Sequence, residues 1–296
     1  MNLSRRHIVK RSLAAGGLMV LGLDALGQSK SAAPRGAMRL VSIGGALTEI
    51  IYALHADAEL VGVDTTSIYP LSATQLPSVG YARSLSSEGI LALRPTQLIG
   101  TEEAGPPMVL KQIADTGIPM TILPSQYRFE GVIERVKKIG ELIRKPDAAK
   151  GLIHQLNMQW HQTQDQVASS RVKNHRVLFI LSQNPSQVMV GGEKTSADAV
   201  IAYAGARNAI SGFSGFKPLT PEAVIAANPD VILMTDQGMK AVGGIGGVLR
   251  FPGIDQTRAG KQRKIIALEA MYLLGFGPRM PHSVADLHAR LQQTMS

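Results

Sequence analysis

The chain has 296 residues and 45% apolar content, enough for one large domain or two lobes with a true core, which leaves disorder only at the ends. It has no cysteine, so disulfides, thiolate metal sites and a cysteine nucleophile are excluded. Of the net charge of +9, residues 1–33 hold +4 (Arg5, Arg6, Lys10, Arg11 and Lys30 against Asp24), and the +5 that remains contains no basic run longer than two, which excludes a nucleic-acid-binding face.

The chain opens Ser4-Arg5-Arg6-His7-Ile8-Val9-Lys10, followed by an apolar stretch, Ser12 to Leu26, and small-residue triplets at Ala25-Leu26-Gly27 and Ser31-Ala32-Ala33. This pattern predicts a twin-arginine export signal over residues 1–33, cleaved to leave a periplasmic protein. The apolar stretch is too short to span a bilayer, and no later segment has the 18 or more apolar residues of a membrane helix.

From Met38 the chain alternates short apolar strands with helices. Strands are predicted at Met38–Ile43, Leu60–Val63, Gln97–Gly100 and Met120–Leu123, with helices at Leu47–Leu54, Ser87–Leu93 and Met108–Thr116. Residues 130–170 offer no strand. Their apolar positions recur at helical intervals, interrupted by Pro146. Alternation resumes with strand Arg176–Leu181, helix Ser196–Ala204, strands Val231–Met234 and Lys264–Ala267, and a terminal helix Ser283–Gln293. Such alternation implies α/β architecture with mostly parallel sheets. We expect an N-terminal lobe over 38–128, a helical spacer over 129–170 and a C-terminal lobe over 171–296.

The halves echo each other. Leu85-Ser86-Ser87-Glu88 leads to Pro95 and an apolar strand, and Leu219-Thr220-Pro221-Glu222 leads to Pro229 and another. In each a hydroxyl caps a helix and a Glu occupies its first turn, where the helix dipole favours an acid. Two copies point to two Rossmann-like lobes, a duplicated unit with a ligand cleft between them. A helical connection between such lobes should permit only small lobe motion.

The order of phrases resembles the helical-spacer class of periplasmic binding proteins, which serve ABC importers of ferric siderophores, cobalamin and haem. Within it the haem-binding subgroup is most similar. The phrases are Ser42-Ile43-Gly44-Gly45 with Thr48-Glu49-Ile50, then Asp64-Thr65-Thr66-Ser67, Leu76-Pro77-Ser78-Val79-Gly80-Tyr81-Ala82-Arg83, and Leu273-Leu274-Gly275-Phe276-Gly277-Pro278-Arg279. The resemblance implies ferric haem as the transported ligand, Tyr81 as its axial iron ligand and Arg83 as the neighbour of Tyr81. It also implies Glu88 and Glu222 as docking residues for an inner-membrane ABC permease. The chemistry agrees: a free phenol titrates near 10, while Fe³⁺ and a nearby guanidinium both favour the phenolate. Arg83 could equally meet a propionate, as could Lys240 and Arg279. Tyr69, Tyr127 and Tyr272 are rival tyrosines.

Members of the subgroup that stack a second haem hold it through a His just after the first strand of the second lobe. Here that place reads Leu181-Ser182-Gln183-Asn184, so one haem is expected. The other histidines fall on predicted helices or element ends and are expected on the surface. Gly243–Gly247 is expected to be a flexible loop over the cleft. No P-loop, G-x-G-x-x-G or G-x-S-x-G is present, and a monomeric binding protein, not an enzyme, is expected, loaded downstream of an outer-membrane haem receptor. A ferric siderophore or cobalamin is the alternative cargo.

Overall fold

The computed structural model describes residues 37–169, 172, 175–184 and 187–294; the export signal expected at 1–33 lies outside them. Four strands form the first sheet: β1 (Leu40–Ile43), β2 (Leu60–Val63), β5 (Gln97–Thr101) and β6 (Met120–Leu123), all parallel, in the order β2-β1-β5-β6. Helix α1 (Gly45–Ala53) follows β1, α2 (Ser87–Ala92) precedes β5, and α3 (Pro107–Asp115) joins β5 to β6. Between β2 and α2 lies a hairpin of two very short strands, β3 (Gly80–Tyr81) and β4 (Ser84–Leu85).

Two helices follow, α4 (Phe129–Leu142) and α5 (Pro146–Ala168), which pack on each other. Pro146 opens α5 in its first turn, where its missing N–H costs nothing. The second sheet contains β7 (Arg176–Asn184), β8 (Gln187–Gly191), β9 (Arg207–Asn208), β10 (Phe216–Pro218), β11 (Val231–Thr235) and β12 (Ile265–Leu268). Its order is β10-β8-β7-β11-β12, and β9 pairs with the start of β7. The strands β7, β11 and β12 are parallel, while β8 and β10 form an antiparallel edge absent from the sequence reading.

The helices of this half are α6 (Ser196–Tyr203), α7 (Pro221–Ala227), α8 (Asp236–Ala241), α9 (Gly244–Val248), α10 (Arg258–Lys261), α11 (Ala270–Leu274) and α12 (Met280–Gln293). Helix α9 corrects the expected loop at Gly243–Gly247. A Cβ on Gly247 would lie 1.6 Å from the Val242 carbonyl oxygen, so glycine there permits a tight turn of helix.

The inner strands of both sheets, β1, β5, β7 and β11, are buried on two faces, which is why they read as unbroken apolar runs. Alternate residues serve different cores. Leu40, Ile99, Val177, Phe179 and Leu233 join a central cluster, while Val41 and Leu98 face an outer cluster in the first lobe and Leu178 and Ile232 one in the second. The central cluster includes Val136 of α4, Trp160 of α5 and Leu287 of α12, so it runs unbroken from lobe to lobe. Trp160 stacks on Phe129 at 4.8 Å and meets the Tyr203 ring edge-on at 5.0 Å, fastening the helical pair to α6 of the second lobe.

Candidate functional site

Chemistry-bearing groups gather at the carboxyl ends of the parallel strands, where open α/β sheets place their ligands. Gly44, with φ of 123°, turns the chain from β1 into α1. The Asp64 carboxylate at the end of β2 is buried and accepts four hydrogen bonds, from the Gly44 and Thr66 N–H groups and the Thr66 and Ser67 hydroxyls. Ser67 and Thr48 share a further hydrogen bond of 2.7 Å. A buried carboxylate without a cation needs such donors, which accounts physically for the Asp64-Thr65-Thr66-Ser67 phrase. The Thr65 N–H then donates to the Gly80 carbonyl at 2.9 Å, tying this turn to the β3–β4 hairpin.

That hairpin presents Tyr81. Gly80, at φ of 94°, takes a backbone shape disfavoured for other residues, and Tyr81 pairs with Ser84 across a two-residue turn, Ala82-Arg83. Ala82 is buried and anchors the turn, whereas Tyr81 is 43% exposed and outside every core. Arg83 Nη2 donates to Glu103 Oε2 at 3.0 Å. Burial pulls the Arg83 guanidinium down, but Glu103, Tyr81 and Tyr127 together push it up, so it stays charged beside Glu103. Tyr127, just beyond β6, sits 5.6 Å ring to ring from Phe276 of the second lobe. Its hydroxyl is pushed up by burial and by Glu103, against the pull of Arg83 and Arg135. Glu103 went unnoticed in the sequence. The signal available was an acid just past the carboxyl end of a parallel strand.

Arg279 is used differently from the propionate contact offered above. Its Nε and Nη2 grip both oxygens of Glu49 on α1, at 2.9 and 2.5 Å, and Nη2 also reaches Glu269 Oε2 at 3.1 Å. Burial pushes the Glu49 carboxyl up, whereas Arg279, pulled down by burial, is carried up on balance by its two carboxylates. The forked geometry favours the ionised pair. Glu49 belongs to the first lobe and Glu269 follows β12 of the second, so the cation bridges the lobes. The Tyr69 and Tyr272 rings flank it at 4.0 and 5.1 Å. Nearby, Arg135 of α4, pulled down to about 10 by burial, donates to the Phe276 carbonyl at 2.6 Å.

Glu88 and Glu222 are exposed in the first turns of α2 and α7. The capping hydroxyls are those of Ser86, accepting from Gly89 N–H, and Thr220, accepting from Ala223 N–H. Among the described residues neither Glu has an ion-pair partner. Lys240 is exposed in the last turn of α8. The surface expectation holds for His55, His154, His161 and His282, but not for His288, which is buried and bonds the Ala204 carbonyl through Nδ1 at 2.8 Å. It occupies a core position of α12, so its apolar neighbours override its polarity. Two recesses lie elsewhere: one of about 330 Å³ lined by His175, Asp230, Arg258 and Lys264 and one of about 460 Å³ between α4 and α5. Neither includes Tyr81.

The periplasmic binding protein family matches residues 40–272. The periplasmic haem-binding protein BhuT, solved with two haems, superposes with a TM-score of 0.85 at 41% identity, over 88% of this chain and 100% of its own. RhuT, a periplasmic haem-binding protein from Roseiflexus sp. RS-1 solved in its apo form, has the same score at 39% identity, over 88% and 100%. A vitamin B12-binding protein of Vibrio cholerae is 25% identical over 70% of this chain and 74% of its own.

Proposed function

The chain belongs to the periplasmic binding protein family, and from that premise we propose that it captures ferric haem in the periplasm and hands it to an ABC importer of the inner membrane. What carries this reading is Tyr81, an open phenol presented on a hairpin beside Arg83, in a chain 41% identical to a haem-binding protein along that protein's whole length. A phenolate is a hard anionic ligand suited to Fe³⁺, and Arg83 stabilises its charge. The chain holds its cargo without transforming it.

Glu88 and Glu222 are the docking contacts for basic residues of the permease. Exposed pairs of this kind are worth about 0–1 kcal/mol each, so they set register more than affinity. Export through the signal at 1–33 delivers the chain to its compartment. Haem should bind one per chain, since no histidine stands in β7 or β8 beyond the amino end of the sheet.

Titration of the purified chain with ferric haem should break at one equivalent and give a high-spin, tyrosinate-type spectrum. Tyr81→Ala should lose that spectrum, and excess cobalamin should not displace the haem. An unchanged spectrum in Tyr81→Ala would overturn the ligand assignment, and a break at two equivalents the stoichiometry.

A further inference from the structure

We propose that Tyr69, backed by Arg279, is a preformed stacking platform for the face of a planar aromatic macrocycle. The ligand is then gripped by ring stacking on one residue and by iron ligation on another. This deepens the haem reading and rests on it.

Tyr69 is 48% exposed, and its neighbours Ile68 and Leu71 are exposed at 37% and 76%, so the loop after β2 offers an apolar strip to solvent. The root of that loop is held by the Asp64 hydrogen bonds and by Thr65 N–H on the Gly80 carbonyl, so the strip and the Tyr81 hairpin spring from one anchored turn. It also lies where the lobes meet. A Cβ on Gly45 would sit 2.4 Å from the Thr66 carbonyl oxygen and 3.1 Å from Met271 of α11, so the root of the loop and α11 both close on the start of α1.

An exposed tyrosine ordinarily keeps its side-chain freedom. Here the guanidinium carbon of Arg279 lies 4.0 Å from the ring centroid, and Arg279 is itself pinned by Glu49 and Glu269. The ordering cost is met in the unliganded protein, and less is lost when a flat ligand arrives. The Tyr69 hydroxyl has no hydrogen-bond partner among the described residues, as suits a ring used for its face. Arg279 acts through Tyr69 as a positioning residue.

Metal-free protoporphyrin IX separates the two grips, because it can stack but cannot be ligated. The wild-type chain should quench its fluorescence on binding, and Tyr81→Phe should bind it nearly as well. Tyr69→Ala and Tyr69→Leu should weaken it about tenfold, whereas Tyr69→Phe should match wild type. Haem-saturated Tyr69→Ala should keep the tyrosinate spectrum. Arg279→Lys, which keeps the charge but not the planar backing, should weaken protoporphyrin several-fold with the haem spectrum intact. If wild type takes up haem and Tyr69→Ala binds protoporphyrin undiminished, the platform is refuted and the haem reading stands. If Tyr69→Phe also loses the tyrosinate spectrum, Tyr69 is a ligand and the platform is refuted. If wild type takes up neither porphyrin, the haem reading itself fails and the platform with it.

Discussion

At the scale of single residues, the Glu49–Arg279 pair makes the clearest energetic demand. Glu49 is buried and its carboxylate is held by one cation, so Arg279→Ala leaves an uncompensated buried charge, a loss of about 3 kcal/mol. The sign with pH follows from the direction of the Glu49 shift. Its folded-state value is raised, so the folded form takes up a proton more readily than the unfolded chain, and stability falls as pH rises through that value. Without Arg279 the value rises further. Denaturation of Arg279→Ala should therefore show a deficit that is large at pH 7.5 and smaller toward pH 5; an equal deficit at both would mean that Glu49 is not the group left stranded. Tyr81 was legible as a candidate in the sequence because its phrase is local. The partners of Arg279 were not, because 230 positions separate it from Glu49 and only the fold brings them together.

At the scale of elements, the capped repeats were the most legible feature. Ser86-x-Glu88 and Thr220-x-Glu222 each start a helix leading to the second strand from the lobe's first, β5 beside β1 and β11 beside β7. The antiparallel edge β8–β10 was not legible. β10 is only three residues long with a proline at its end, and its register comes from pairing with β8, not from its own periodicity. Because α2 and α7 occupy equivalent places, their acids should act together. Glu88→Ala with Glu222→Ala should leave haem affinity unchanged and reduce haem-dependent growth or vesicle uptake more than either change alone. A double variant that transports normally would remove both from the docking surface.

At the scale of the whole molecule, the lobes are joined by α4 and α5, by the Arg279 bridge and by the Arg135 bond to Phe276. None of these is a pair of free-hinging strands, so closure should be slight. Small-angle scattering with and without haem should give radii of gyration that agree closely; a marked contraction on binding would contradict it. The central apolar cluster carries a further consequence. Since Leu40 and Ile99 share it with Phe179 and Leu287, neither half can shelter its own inner wall. Expressed separately, each would present a wet oily flank and tend to clump, while fragments produced together in one cell could reassemble. The halves that echo each other in the sequence are thus twins that should not stand apart.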